Sequence, residues 1–131
     1  MKYLNIFFIA ISVILFSSHI YSQTPKWLWF CEDDGYNMYY DSSSIENKTD
    51  YTIVWVKSVS DKELYINGER IEYGTSYCVM FCSERKLHIL ASYVYSLNEL
   101  TSPIKVPIGK DEYDIDSSHV AAALYKKICN K

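Results

Sequence analysis

Four cysteines, Cys31, Cys78, Cys82 and Cys129, stand behind an N-terminal apolar run, and these two features constrain the fold more than anything else in the chain. The run extends from Leu4 to Phe16 after Met1-Lys2-Tyr3, then gives way to the polar stretch Ser17 to Ser22. A basic start, about a dozen apolar residues and a small residue at the cut make a secretory leader. A stable anchor needs about 20 apolar residues, so this run is too short to stay as a membrane span. Ile20 and Ser22 fit the −3 and −1 sites, which places the cut before Gln23. Residues 1–22 are then a signal peptide, and residues 23–131 form one domain with a modest core. Cys31 follows Phe30 and not a small residue, so it lacks the surroundings of a lipid-attachment cysteine.

An even number of cysteines in a small exported chain reads as a disulfide framework, because the compartment is oxidising. Zinc is the rival: Cys78-x-x-x-Cys82 has tolerable spacing, but no Cys or His pair complements it. Four cysteines admit three pairings. A local Cys78–Cys82 bridge is disfavoured, since four steps along an extended strand separate the Cα atoms by about 13 Å. The formal net charge is −3, one unit more negative once Lys2 leaves with the leader. A mildly acidic domain without a stripe of Lys and Arg is no partner for nucleic acid, nor for anionic membrane surfaces.

The local pattern is mostly strand. Trp27–Cys31 is an aromatic run ended by the turn cluster Glu32-Asp33-Asp34-Gly35, and Tyr36–Asp41 reads as a second strand. Turn chemistry surrounds Ile45. Tyr51–Val59 is the clearest strand, β-branched and aromatic with no helical period. Ser60–Thr75 is a polar connection in which Asn67-Gly68 predicts a tight turn, with a minor hairpin pairing Leu64–Ile66 and Ile71–Tyr73. Two strands, Ser76–Cys82 and Leu87–Tyr95, follow on either side of Ser83-Glu84-Arg85-Lys86. Ser96–Ile115, with Pro103 and Pro107, is expected to be irregular and to cover one sheet edge. Asp116 or Ser117 then caps a helix whose apolar stripe is Val120, Ala121, Leu124, Tyr125 and Ile128. Lys126 and Lys127 suit its last turn. The predicted class is α+β: an antiparallel sheet of about five or six strands, one C-terminal helix packed on it, stapled by disulfides.

Tyr39-Tyr40-Asp41 with Ser44-Ile45, Val54-Trp55-Val56-Lys57, Cys82-Ser83-Glu84-Arg85-Lys86 leading to Ser92-Tyr93-Val94-Tyr95, and Ala123-Leu124-Tyr125 with Ile128-Cys129 occur in that order. As an ordered set, from about Trp27 to Cys129, they resemble the surface-adhesin protein E family of exported bacterial domains. At the helix start this chain reads Asp116-Ser117-Ser118, where similar sequences have Pro and Gly before the Ser. The resemblance implies a six-stranded type of antiparallel sheet, a C-terminal helix, no catalysis, and a Cys82–Cys129 disulfide. That pairing would tie the helix to the sheet, and it leaves Cys31 with Cys78 as the second expected bridge.

Residue chemistry adds no reaction. His88 lies in a strand pattern and His119 beside Ser117 and Ser118, but neighbouring Ser and His make no triad without spatial convergence and an oxyanion hole. Neither acidic group, Glu32-Asp33-Asp34 nor Asp111, Glu112, Asp114 and Asp116, has the alternating ligands and closing Glu of a calcium loop. No carboxylate pair is singled out for glycoside hydrolysis. No cofactor or metal is expected. Tyrosine and tryptophan favour interfaces, so Tyr36, Tyr39, Tyr40 and Tyr51 are the candidate recognition surface. The first functional reading is a non-catalytic binding module for host matrix or envelope proteins, exported to the periplasm, the cell surface or the medium. The second is a periplasmic inhibitor of a lysozyme-type hydrolase, with Ser96–Asp114 as the inserted loop. A free sheet edge leaves room for a homodimer.

Overall fold

The computed structural model describes residues 23–98 and 102–130, so the leader lies outside the described residues. Among the described residues nine strands form one antiparallel sheet: β1 Trp27–Asp33, β2 Tyr36–Asp41, β3 Glu46–Asn47, β4 Thr52–Ser60, β5 Leu64–Ile66, β6 Glu69–Phe81, β7 Lys86–Ser96, β8 Ile104–Val106 and β9 Glu112–Asp114. The main order is β1-β2-β4-β6-β7-β8, with β3 on β4, β5 on β6 and β9 on β7. The sheet thus has more strands than expected, the extra ones two or three residues long.

Two hairpins follow directly from turn chemistry. Asp34-Gly35 joins β1 to β2 with φ of 47° and 78°, and Asn67-Gly68 joins β5 to β6 with φ of 52° and 79°. Successive positive φ values match the right-handed strand twist, and only Gly, Asn and Asp adopt them at low cost. β1 therefore runs on through Glu32 and Asp33, which had read as turn. β6 absorbs Glu69 to Thr75 of the expected polar connection, because these residues keep pairing with β5 or β7. Ser96–Ile115 does cover an edge, but with β8 and β9 laid on β7.

The helix α1, His119–Ile128, buries Ala121, Leu124 and Ile128 against Phe30, Val54, Met80 and Leu87 of the sheet. Its cap is Ser118, not Asp116 or Ser117: the Ser118 Oγ accepts the Ala121 N–H at 3.2 Å. The reason is Ile115, which is buried and drives residues 115–117 into a 3-10 turn before the helix begins. Ser118→Ala is expected to lower stability by about 1 kcal/mol, read as a denaturation midpoint, with Ser117→Ala much closer to wild type.

Cys82 and Cys129 are bonded, linking the end of the sheet's longest hairpin to the end of α1. The expected Cys31–Cys78 bridge is corrected: both are free thiols buried in the core. β2 and β4 lie between their strands, and strand spacing of about 4.8 Å puts β1 and β6 well beyond disulfide reach along the sheet. Burial pushes the Cys78 thiol up to about 12, and burial with Asp33 nearby pushes Cys31 up to about 11. Neither supplies thiolate at neutral pH, which makes them packing residues.

Candidate functional site

On β4, Val54 and Val56 point into the core beneath α1, so Trp55 and Lys57 point out of the opposite face. The register carries that face across the sheet. Trp55 stands opposite Tyr77, Lys57 opposite Tyr39 on one side and Thr75 on the other, Thr75 opposite Tyr93, and Tyr73 opposite Tyr95. Their rings touch. Trp55 lies 5.1 Å from Tyr77 and 6.3 Å from Tyr93, centroid to centroid, and Tyr73 stacks on Tyr95 at 4.6 Å with planes 17° apart. Each such pair contributes about 0.5–1.5 kcal/mol beyond its buried area.

Lys57 is the charge within this layer. Its Nζ sits 4.7 Å from the Tyr73 ring centroid and 5.5 Å from that of Trp27, so two π-faces hold the ammonium in place. Thr75 beside it is 7% exposed, and its Oγ1 has no hydrogen-bond partner among the described residues. Burial, with Tyr95 and Glu72 close by, keeps the Tyr73 phenol above its ordinary range, so it stays neutral and able to donate a hydrogen bond. The result is an aromatic layer from β1 to β7 with a cation inside it, on the side of the sheet that α1 leaves uncovered.

The four tyrosines singled out from sequence do not share one surface. Tyr39 belongs to the aromatic layer. Tyr40 faces the other way and packs edge-on to Phe30 at 6.2 Å, and Tyr36 lines that same side with Met38. Tyr51 sits at the rim, 5.7 Å from Phe81. The residues that sequence reasoning passed over are Trp55, Lys57, Tyr73, Tyr77, Tyr93 and Tyr95. Alternation along β4 carried a signal, since Val54 and Val56 fall on one parity and Trp55 and Lys57 on the other.

Other candidate chemistry is dispersed. The Ser117 hydroxyl donates to the Asp114 carbonyl, and Ser118 is committed to the helix cap, so neither serine is presented to a histidine. His88 Nε2 lies 3.4 Å from Glu112, whose carboxylate the Lys86 ammonium holds below its usual range. Asp116 pairs with Arg85 at 2.7 Å, and the guanidinium lies over the Tyr125 ring, bracing the turn before α1. Among the described residues no cluster of His, Cys, Asp and Glu is placed to hold a metal ion. The segment 96–114, the proposed inhibitory loop, contributes β8 and β9 to the sheet.

These features define an exported type of α+β domain: an antiparallel sheet with a disulfide-pinned helix on one face and an aromatic layer on the other. The chain belongs to the surface-adhesin protein E family, whose family model matches residues 27–130. Among solved structures it is similar to Haemophilus influenzae protein E. Crystal form II of that protein shares 17% identity at a TM-score of 0.57, covering 82% of this chain and 94% of the other. The selenomethionine form shares 15% at a TM-score of 0.56, covering 83% and 94%. At that identity the likeness establishes the fold. No curated relative matches the chain. Membership makes this an exported, adhesin-like surface protein. Among the described residues no helix is long and apolar enough to cross a membrane.

Proposed function

We propose that the chain, cut before Gln23, acts as a non-catalytic binding domain that holds a host matrix or envelope protein against its outward sheet face. The observation that carries this reading is the aromatic layer around Trp55, Tyr77 and Tyr93. Large rings with one polar handle, set in a surface with few charges, are what protein interfaces concentrate at their centres. Two further points support it: the family is one of surface adhesins, and the described catalytic candidates do not converge.

The test is capture of the secreted, oxidised domain by a panel of immobilised, purified matrix proteins. Trp55→Ala and Tyr93→Ala are expected each to weaken capture tenfold or more, and Lys127→Ala, on the helix layer, to leave it unchanged. Circular dichroism confirms that each variant is folded, and Tyr77→Leu, which keeps apolar volume, serves if the alanine variants unfold. Equal capture by folded variants of all three rings would overturn the sheet face as the contact surface. Inhibition of lysozyme by the wild-type domain would instead favour the inhibitor reading.

A further inference from the structure

We propose that the outward face selects an acidic protein segment, one that places a carboxylate at Lys57 and apolar side chains on the rings around it. The inference rests on the binding role proposed above and adds the chemistry of the partner.

Charge placement carries it. The chain as a whole has 16 acidic against 13 basic residues. Yet the outward register positions of β4, of β6 from Tyr73 to Phe81, of β7 and of β8 hold no carboxylate; Glu32, Glu46 and Glu112 take outward positions only on the flanking strands β1, β3 and β9. The carboxylate-free positions hold Lys57 and, opposite Tyr93 on β8, Lys105. Two further lysines near this face are already paired, Lys86 with Glu112 and Lys48 with Glu46. Lys57 and Lys105 form no ion pair among the described residues, whereas Arg70 and Arg85 elsewhere each have one. An acidic protein that keeps carboxylates out of the centre of one face, and leaves two ammonium groups unpaired there, presents electrostatic complementarity to a negative partner. Lys57 is also pre-positioned: the Trp27 and Tyr73 rings fix its side chain, so little rotamer freedom is lost when a carboxylate arrives.

The same census selects a protein segment over a polyanion. Sulfated glycans and nucleic acids are held by strings of cations that displace many counterions. Two unpaired lysines among a larger number of aromatic rings do not make such a string. They match one or two carboxylates flanked by leucine- or phenylalanine-like side chains.

The experiment uses fluorescence anisotropy with the oxidised full domain and labelled 12-residue peptides. One peptide carries two Glu among Leu, Phe and Gly, and its counterparts carry Gln or Lys at the same two positions. The Glu peptide is expected to bind at least tenfold more tightly than the Gln peptide, and the Lys peptide not at all. Lys57→Gln is expected to erase the Glu preference, Lys57→Arg to keep it, and Lys105→Gln to reduce it. Equal binding of Glu and Gln peptides, or a preference that survives Lys57→Gln, overturns the inference. So does a heparin oligosaccharide that binds more tightly than the Glu peptide and displaces it. If no peptide binds while Trp55→Ala still abolishes capture by matrix protein, the acidic-partner inference falls and the sheet-face reading stands. If Trp55→Ala leaves capture intact, that reading fails first and takes the inference with it.

Discussion

Replacing Cys129 with serine is expected to cost the domain roughly 2–5 kcal/mol, enough to leave it largely unfolded at 37 °C. The bond to Cys82 closes a sequence separation of 47 residues. In the chain-entropy account a loop of that size is worth about 4 kcal/mol, because the unfolded chain loses freedom that the folded chain never had. The structural reason is α1. Ten residues are too few for a helix to persist alone in water, and it meets the sheet mainly through Ala121, Leu124 and Ile128. Pinning its last turn to the end of β6 makes its docking local and not a long-range search. Thermal melting followed by circular dichroism checks this, and reduction of the wild-type domain should reproduce the effect. Thiol titration after denaturation should find two free groups in the oxidised wild type, Cys31 and Cys78, and one more in the variant. A melting midpoint unmoved by either treatment would show that the helix holds without the bond.

Leu124→Ala is expected to destabilise by about 2–5 kcal/mol, the range for emptying a well-packed core position. Leu124 is 1% exposed and belongs to the cluster containing Met80, Val54 and Ile115, which are as deeply buried. Rings and β-strand backbones border that cluster and collapse poorly into a void, which argues for the upper half of the range. Leu90→Ala provides the contrast: Leu90 sits at the β7 bulge, 55% exposed, and should change stability by no more than about 0.5 kcal/mol. Urea unfolding with a common slope separates the two. Similar midpoints for both leucine variants would mean that the α1 interface contributes little.

The elements that were legible in the sequence are those set by local chemistry. Alternating Val54, Trp55, Val56 and Lys57 could only be a half-buried strand, Asn67-Gly68 could only be a tight turn, and the spacing of Ala121, Leu124 and Ile128 could only be a helix face. The Cys82–Cys129 bond came from family resemblance, since spacing alone left three pairings open. What was not legible depends on register. Cys31 and Cys78 look like partners until β2 and β4 are found between them. Tyr36, Tyr39 and Tyr40 look like one cluster until alternation sends Tyr39 to one face and Tyr36 and Tyr40 to the other. Trp55, Tyr77 and Tyr93 lie far apart along the chain and become neighbours only through the β4–β6–β7 ladder. β8 and β9 escaped notice because three residues between prolines and charges carry almost no periodic signal.

β7 is eleven residues long, and its outer border is occupied by β8 and β9, which come later in the chain. During synthesis and export that border stays open until residues 104–114 have emerged. In that interval it is a template for pairing with a second nascent chain. In the finished fold the two short strands therefore act as a latch against polymerisation, covering the border that β7 would otherwise offer. A chain that stalls before Ile104 keeps the latch open, and fibrous aggregates are its expected fate.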